Sequence, residues 1–213
     1  MRTEVENIMN HREIIFKILI VGDAEVGKTS FVRRYINHSF EKNYKVTVGV
    51  DFSVKVIEWS ETETVRLQLW DIAGQERFTT MTRVYYRRAS ACFIMFDLTN
   101  PNSFYNAAKW KKDLDLKCFD TYGKNIPCIL IANKTDLPSK VEKNDINNFC
   151  KQHHFLGWTE MSVKDDKHVT ETMEFMIQEL MLPAGEGHLE NKDGALVLPE
   201  TEPEENKRLC CGS

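Results

Sequence analysis

The chain has no apolar run approaching the roughly 20 residues that a membrane-spanning helix needs. Its first stretch, Met1 to Glu13, carries acids and lacks an apolar h-region. It therefore reads as an N-terminal extension, neither a signal peptide nor a myristoylation signal. Basic residues are not in excess: 28 Lys and Arg stand against 32 Asp and Glu, so no nucleic-acid partner is indicated. Cysteines are few and lack metal-type or disulfide-framework spacing, which implies a reduced, cytosolic setting. Cys92 and Cys128 fall in strand patterns and Cys118 and Cys150 in helix patterns, as small core residues do. What remains, 213 residues with 42% apolar content, suits one compact domain and a tail.

Four separated segments carry the chemistry. GDAEVGKT, Gly22 to Thr29, satisfies G-x-x-x-x-G-K-[ST] between the apolar run Ile14 to Val21 and a helix-like stretch Thr29 to Ile36. A strand delivers such a loop to a helix N-terminus. There the backbone N–H groups of Gly22, Asp23, Ala24, Glu25, Val26 and Gly27, with Lys28, Thr29 and Ser30, can cradle phosphates, aided by the helix dipole. Lys28 reaches the β- and γ-phosphates, and the Thr29 hydroxyl suits Mg²⁺, which prefers oxygen ligands. An ordinary strand-to-helix turn with a surface lysine is the bland alternative.

NKTD, Asn133 to Asp136, ends a second buried-strand pattern, Ile126 to Ala132, where open α/β sheets bind ligands. A carboxylate at Asp136 can accept from the N1–H and amino group of guanine, which adenine cannot match. A site built for those donors rejects the wrong base by on the order of 10⁴-fold. Asn133 is placed to tie this loop to the phosphate loop, Lys134 to cover the base, and SVK, Ser162 to Lys164, to close the other side with the Val163 N–H on the guanine carbonyl. DIAGQ, Asp71 to Gln75, is the fourth segment. The order of the four follows a path from phosphate to base, so the chain reads as a GTP-binding switch.

VGVDF at Val48 to Phe52, RLQLWDIAGQERF at Arg66 to Phe78 and YYRRA at Tyr85 to Ala89 resemble the Rab family of small GTPases over roughly Phe16 to Leu182. WDIAGQERF followed by MTRVYY, with Ile72 where most Rabs have Thr, is most similar to the branch serving the Golgi, late endosomes, lysosomes and lysosome-related organelles. The resemblance implies an α/β small GTPase fold, a six-stranded, mostly parallel sheet flanked by helices, over residues 14–183. Alternating strand and helix patterns support it independently.

By that resemblance Thr47 joins Thr29 on Mg²⁺, Asp71 holds the ion through water, Gly74 meets the γ-phosphate, and Gln75 orients the attacking water. Phe40 packs edge-on against guanine and Tyr44 also contacts the nucleotide. No arginine is placed to assist in cis, so hydrolysis is slow without an activating protein, roughly 10⁻⁴ s⁻¹ in related switches. Ala24 stands where many small GTPases have Gly. Phe52, Trp70 and Tyr85 match an effector-facing aromatic triad, and Thr79 and Thr80 match a phosphorylatable stretch. The implied partners are an exchange factor, a GTPase-activating protein, effectors, a prenylation escort and a GDP-dissociation inhibitor. Two rival readings remain at this point: a phosphate-loop ATPase or nucleotide kinase, and a nucleotide-locked binding module.

Periodicity places a helix from Asn100-Pro101 to about Lys117 and a final helix with an apolar stripe of Val169, Met173, Met176, Ile177 and Leu180. His153 and His154 read as a solvated helix end rather than a zinc site. From Ala184 the composition turns to Gly, Glu and Pro, a tail expected to be disordered. Its charged side chains, seven acidic and three basic, leave it at −4, against electrostatic capture by anionic lipid. Cys210 and Cys211 resemble a double geranylgeranylation site, and two chains anchor where one is marginal. The location implied is the cytoplasmic face of a Golgi or endolysosomal membrane, with a cytosolic pool. The apolar island Leu196 to Leu198 is either a docking segment for an escort or extraction chaperone, or incidental.

Overall fold

The computed structural model describes residues 11–41, 47–74, 82–182 and 195–196. Strands β1 (Arg12–Val21), β2 (Val50–Glu58), β3 (Glu63–Ile72), β4 (Ala91–Asp97), β5 (Cys128–Asn133) and β6 (Gly157–Met161) form one sheet in the order β2-β3-β1-β4-β5-β6. Among the described strands only β2 and β3 run antiparallel, joined by a tight hairpin in which Trp59 and Ser60 donate to the Glu63 carbonyl. The remaining pairs are parallel.

Strand residues alternate between two cores. Ile18 and Ile20 face α1 (Lys28–Asn37) and α5 (Val169–Met181), packing with Phe31, Val32, Tyr35, Met173 and Met176. Leu19 and Val21 face the other way, toward α3 (Pro101–Lys117) and α4 (Lys143–Gln152), with Phe104, Trp110, Leu114 and Ile146. A sheet covered on both faces explains why β4 is buried at all seven positions and reads as a continuous apolar run. Helix α2 (Thr82–Tyr86) is a single short turn whose Tyr86 is buried in the α3 core.

Local signals place the helix ends. Asn100 caps α3, its side chain accepting from the Asn102 N–H at 3.2 Å with Pro101 at the first helical position. The methionines of α5 are core, as their spacing requires. Cys92, Cys118, Cys128 and Cys150 are all buried as free thiols, and burial foremost raises the pKa of Cys92, Cys118 and Cys150. One expectation holds only in part: His154 is exposed at the end of α4, but His153, its C-cap, is not fully solvated. It is half-buried with its ring 4.4 Å from that of Phe149, and burial first, then Lys111 and His154, lowers its pKa. Phe149 offers an apolar platform one turn back on α4.

Parallel register brings the loops together. Ile20 pairs with Asp71, Asp97 with Asn133, and Asn133 with Met161, so the carboxyl ends of β1, β3, β4, β5 and β6 share one rim. Every motif singled out for nucleotide chemistry leaves from that rim.

Candidate functional site

The loop from β1 to α1 is shaped by its glycines. Gly22 has φ +140 and Gly27 +106, and a Cβ on Gly27 would collide with the Asn133 amide. Lys28 turns back over the loop and donates to the carbonyls of Gly22 at 2.9 Å and Asp23 at 2.7 Å. It is 6% exposed, and burial lowers its pKa to about 8 against the opposing pull of Asp71 and Asp23. An ammonium held there is poised for an anion entering the loop.

Asn133 is the junction of the site. Its Nδ2 donates to the Val26 carbonyl at 2.8 Å and its Oδ1 accepts from the Val163 N–H at 3.2 Å. One buried amide thus joins the loops after β1, β5 and β6. Arg34 on α1 adds a second tie, donating to the carbonyls of Val163 at 3.0 Å and Lys164 at 2.8 Å.

Asp136 lies where the loops after β5 and β6 meet, its Oδ1 accepting from Ser162 Oγ at 2.8 Å and its Oδ2 from Lys164 Nζ at 3.3 Å. Burial raises its pKa, but the bonds from Ser162 and Lys164 outweigh burial and hold it below the usual carboxylate range. The group is therefore an ionised acceptor at neutral pH. Lys134, in the left-handed region at φ 71, pairs its ammonium with Asp97 at 2.6 Å. Asp97 in turn accepts from the Thr99 N–H and hydroxyl, both at 2.8 Å. Phe40 is half-buried at the edge of the α1 and α5 core.

At the other end, Thr29, Thr47 and Asp71 converge. The two hydroxyls are 2.8 Å apart, Thr29 donates to Asp71 Oδ2, and Thr47 lies 3.4 Å from the same oxygen. Asp71 Oδ1 is buried without a hydrogen-bond partner among the described residues, a spare acceptor beside the Thr29 and Thr47 hydroxyls and within the field of Lys28. That donor set fits a hard divalent cation such as Mg²⁺. Burial foremost raises the Asp71 pKa, which an adjacent cation would reverse. A cavity of about 210 Å³ lies beside it, lined by Thr29, Arg33, Asp51, Ser53 and Asp71. Gly74 begins the next segment so close to the phosphate loop that a Cβ would strike the backbone of Asp23 and Ala24.

Phe52 and Trp70 meet edge to face at 5.3 Å, with Phe52 49% exposed and Lys17 Nζ 3.7 Å from the Trp70 ring centroid. Trp70 and Tyr85 are both half-buried against the α3 core. Tyr44, Gln75, Thr79, Thr80, Cys210 and Cys211 lie outside the described residues.

Sequence reasoning missed how the phosphate loop is fastened to α3. Asp23 accepts from Asn106 Nδ2 at 2.8 Å and Trp110 Nε1 at 2.9 Å. The four-residue spacing of Asn106 and Trp110 was visible as one helix face; their partner more than 80 residues away was not. A larger concavity, about 1170 Å³, opens at the opposite end of the strands beside Arg83, Arg87, Arg88, Lys117, Phe119 and Tyr122. Among the described residues no three His, Cys, Asp or Glu side chains gather as a metal site.

Residues 17–182 match the Ras family. Over 204 residues, 95% of this chain and 100% of the relative, the sequence is 50% identical to Ras-related protein Rab-7L1 of Rattus norvegicus. It is 43% identical to Ras-related protein Rab-32 of Sus scrofa over 203 residues, 94% of this chain and 90% of that protein. Ras-related protein Rab-32B of Dictyostelium discoideum is 43% identical over 201 residues, 92% and 77% of the two chains.

Proposed function

This chain belongs to the Rab family of small GTPases, a GTP-hydrolysing switch in membrane traffic, and on that premise we propose how its own residues perform the switching. The loop Gly22 to Ser30 holds the phosphates, with Lys28 exchanging its two loop carbonyls for phosphate oxygens. Asp136 holds the guanine edge, Ser162, Val163 and Lys164 close over it, and Phe40, Tyr44 and Lys134 flank the base. For Lys134 to cover the base with its stem, its ammonium can stay on Asp97. The observation that carries this reading is the Asn133 junction, which fixes the distance between phosphate loop and base loop through one buried amide.

Thr29 and Thr47, with Asp71 acting through water, would hold Mg²⁺, which would neutralise phosphate charge there. Gln75 orients the attacking water, and Gly74 gives its N–H to the γ-phosphate. Loss of that phosphate releases both segments, so the product of the switch is a conformation. In the GTP state Phe52, Trp70 and Tyr85 present an apolar patch to effectors, with a polar rim. The exposure of Phe52 and its edge contact with Trp70 support this. Phosphate on Thr79 or Thr80 would add negative charge to that stretch of the chain and block partners.

The GTPase unit is residues 14–183, after an extension at 1–13. Residues 184–213 form the tail that carries lipid on Cys210 and Cys211. No helix among the described residues is long and apolar enough to cross a membrane, and a doubly prenylated tail supplies the attachment. The protein works on the cytoplasmic face of a Golgi, late endosomal, lysosomal or lysosome-related membrane. An exchange factor, an activating protein, an escort and a GDP-dissociation inhibitor move it through its cycle. The base assignment is tested by Asp136→Asn: binding of guanine nucleotide falls and xanthine nucleotide binding appears. Unchanged GTP affinity contradicts it.

A further inference from the structure

Among the described strands β6 is an edge of the sheet, with β5 as its one neighbouring strand through residues 157–161. An edge strand exposes unpaired backbone groups that invite another extended segment. Most of this edge is already occupied. His168 Nδ1–H donates to the Glu160 carbonyl at 2.7 Å. Just past the strand, Ser162 and Lys167 exchange backbone hydrogen bonds at 3.2 and 2.9 Å. What remains is the peptide at Trp158.

That peptide is taken by the chain's own tail. The Leu196 N–H donates to the Trp158 carbonyl at 2.8 Å, and Ala195 forms a parallel bridge with Trp158. The two neighbours also divide between the sheet faces. Ala195 packs against the core beneath α3 and α4, Leu196 against the core beneath α1 and α5. Such alternation is what an extended pair must do at a sheet edge. A backbone bond and a two-sided apolar contact thus specify the same occupant, a small residue followed by a branched apolar one.

We propose that the free edge of β6 at Trp158 is a docking site for a short extended small-apolar segment, and that Ala195–Leu196 fills it as a clip that resets where the tail leaves the domain. Leu182 follows the last residue of α5 and lies 28 residues before Cys210; Leu196 lies 14 before it. At ~3.3–3.6 Å per residue the fully extended reach falls from about 95 Å to about 50 Å when the clip is closed. The departure point also moves from the end of α5 to the β6 edge. A partner that takes Leu196 must open the clip, and in doing so roughly doubles the reach of the end that the reading above assigns to lipid. The shortened reach of a membrane anchor rests on that reading; the clip itself does not.

The test is amide hydrogen exchange at Leu196 in the full-length, unprenylated chain, with Ala195→Asp and Leu196→Asp beside the wild type. A charge at either place must enter an apolar contact to keep the clip shut. The backbone amide at position 196 is expected to exchange at least about tenfold more slowly than an unstructured peptide in the wild type, and at the unstructured rate in both variants. Core amides of β5 and α5 should stay equally protected in all three, which certifies the fold. An unstructured rate in the wild type, or protection that survives both substitutions, overturns the clip. The readout needs neither lipid nor bound nucleotide, so its failure leaves the GTPase assignment intact, and a protein empty of guanine nucleotide would leave the clip intact.

Discussion

The indole Nε1 of Trp110 donates a 2.9 Å hydrogen bond to Oδ1 of Asp23, fastening the phosphate loop to the middle of α3. Asn106, one helical turn earlier, holds the other carboxylate oxygen at 2.8 Å. The carbonyl of the same Asp23 accepts from Lys28, and its backbone leaves no room for a Cβ on Gly74. Side chain, carbonyl and peptide of one residue therefore meet α3, Lys28 and the segment after β3.

Trp110→Phe keeps most of the buried ring and removes one bond to a charged acceptor, a loss of about 1.5–3 kcal/mol. Urea unfolding should show a decrease of that size, and GDP should leave the folded variant several-fold faster. A stability loss with wild-type GDP release would mean that the bond supports α3 and not the loop.

Asn133→Ala breaks both sides of a buried junction, leaving the Val26 carbonyl and the Val163 N–H unpaired. Each orphaned group costs about 1–3 kcal/mol. Nucleotide affinity should fall by more than a hundredfold, for GDP and GTP alike, because the loops for phosphate and base lose their common anchor. Titration with fluorescent GDP reads this directly; a loss confined to GTP contradicts it.

Lys28 gives a pH signature. Its folded pKa is about 8 against 10.5 for an exposed lysine, with burial the main cause. Without ligand, the unfolded chain holds the extra proton between those values, so Lys28 makes stability rise from pH 8 to 10.5, by about 3 kcal/mol in the limit. Bound phosphate favours the ammonium, so GDP affinity should be flat below pH 8 and weaken above it, approaching tenfold per pH unit. Lys28→Met should bind weakly with no such inflection. A wild-type affinity that stays flat to pH 9.5 contradicts the buried, loop-held lysine.

Chelation addresses the oxygen cluster. EDTA should speed GDP release from the wild type by an order of magnitude or more. Asp71→Ala should already release quickly and respond little. Equal acceleration in both proteins would remove Asp71 from the cation site.

The sheet was legible because strand segments covered on both faces are written as apolar runs, Ile18 to Val21 within the run Ile14 to Val21 and Cys128 to Ala132 within Ile126 to Ala132. Helix α3 was legible from Asn100 and Pro101 alone. Local codes of that kind report which element forms, and the shared rim then follows from parallel register. Pairings across the fold are not written locally. Nothing near Asp23 announces Trp110, and Arg34 gives no sign of the Val163 carbonyl. His153 looked solvated because its platform, Phe149, reads equally well as core. The island at Leu196 stood out as apolar, but only the free carbonyl of Trp158 explains where it goes.

The most direct measurement is the nucleotide retained by the purified chain, followed by phosphate release from GTP for wild type and Gln75→Leu. Bound GDP or GTP is expected, with slow turnover in the wild type and slower still in the variant. Retained adenine nucleotide, or no affinity for guanine nucleotide at all, would contradict the assignment of these loops to a GTP switch.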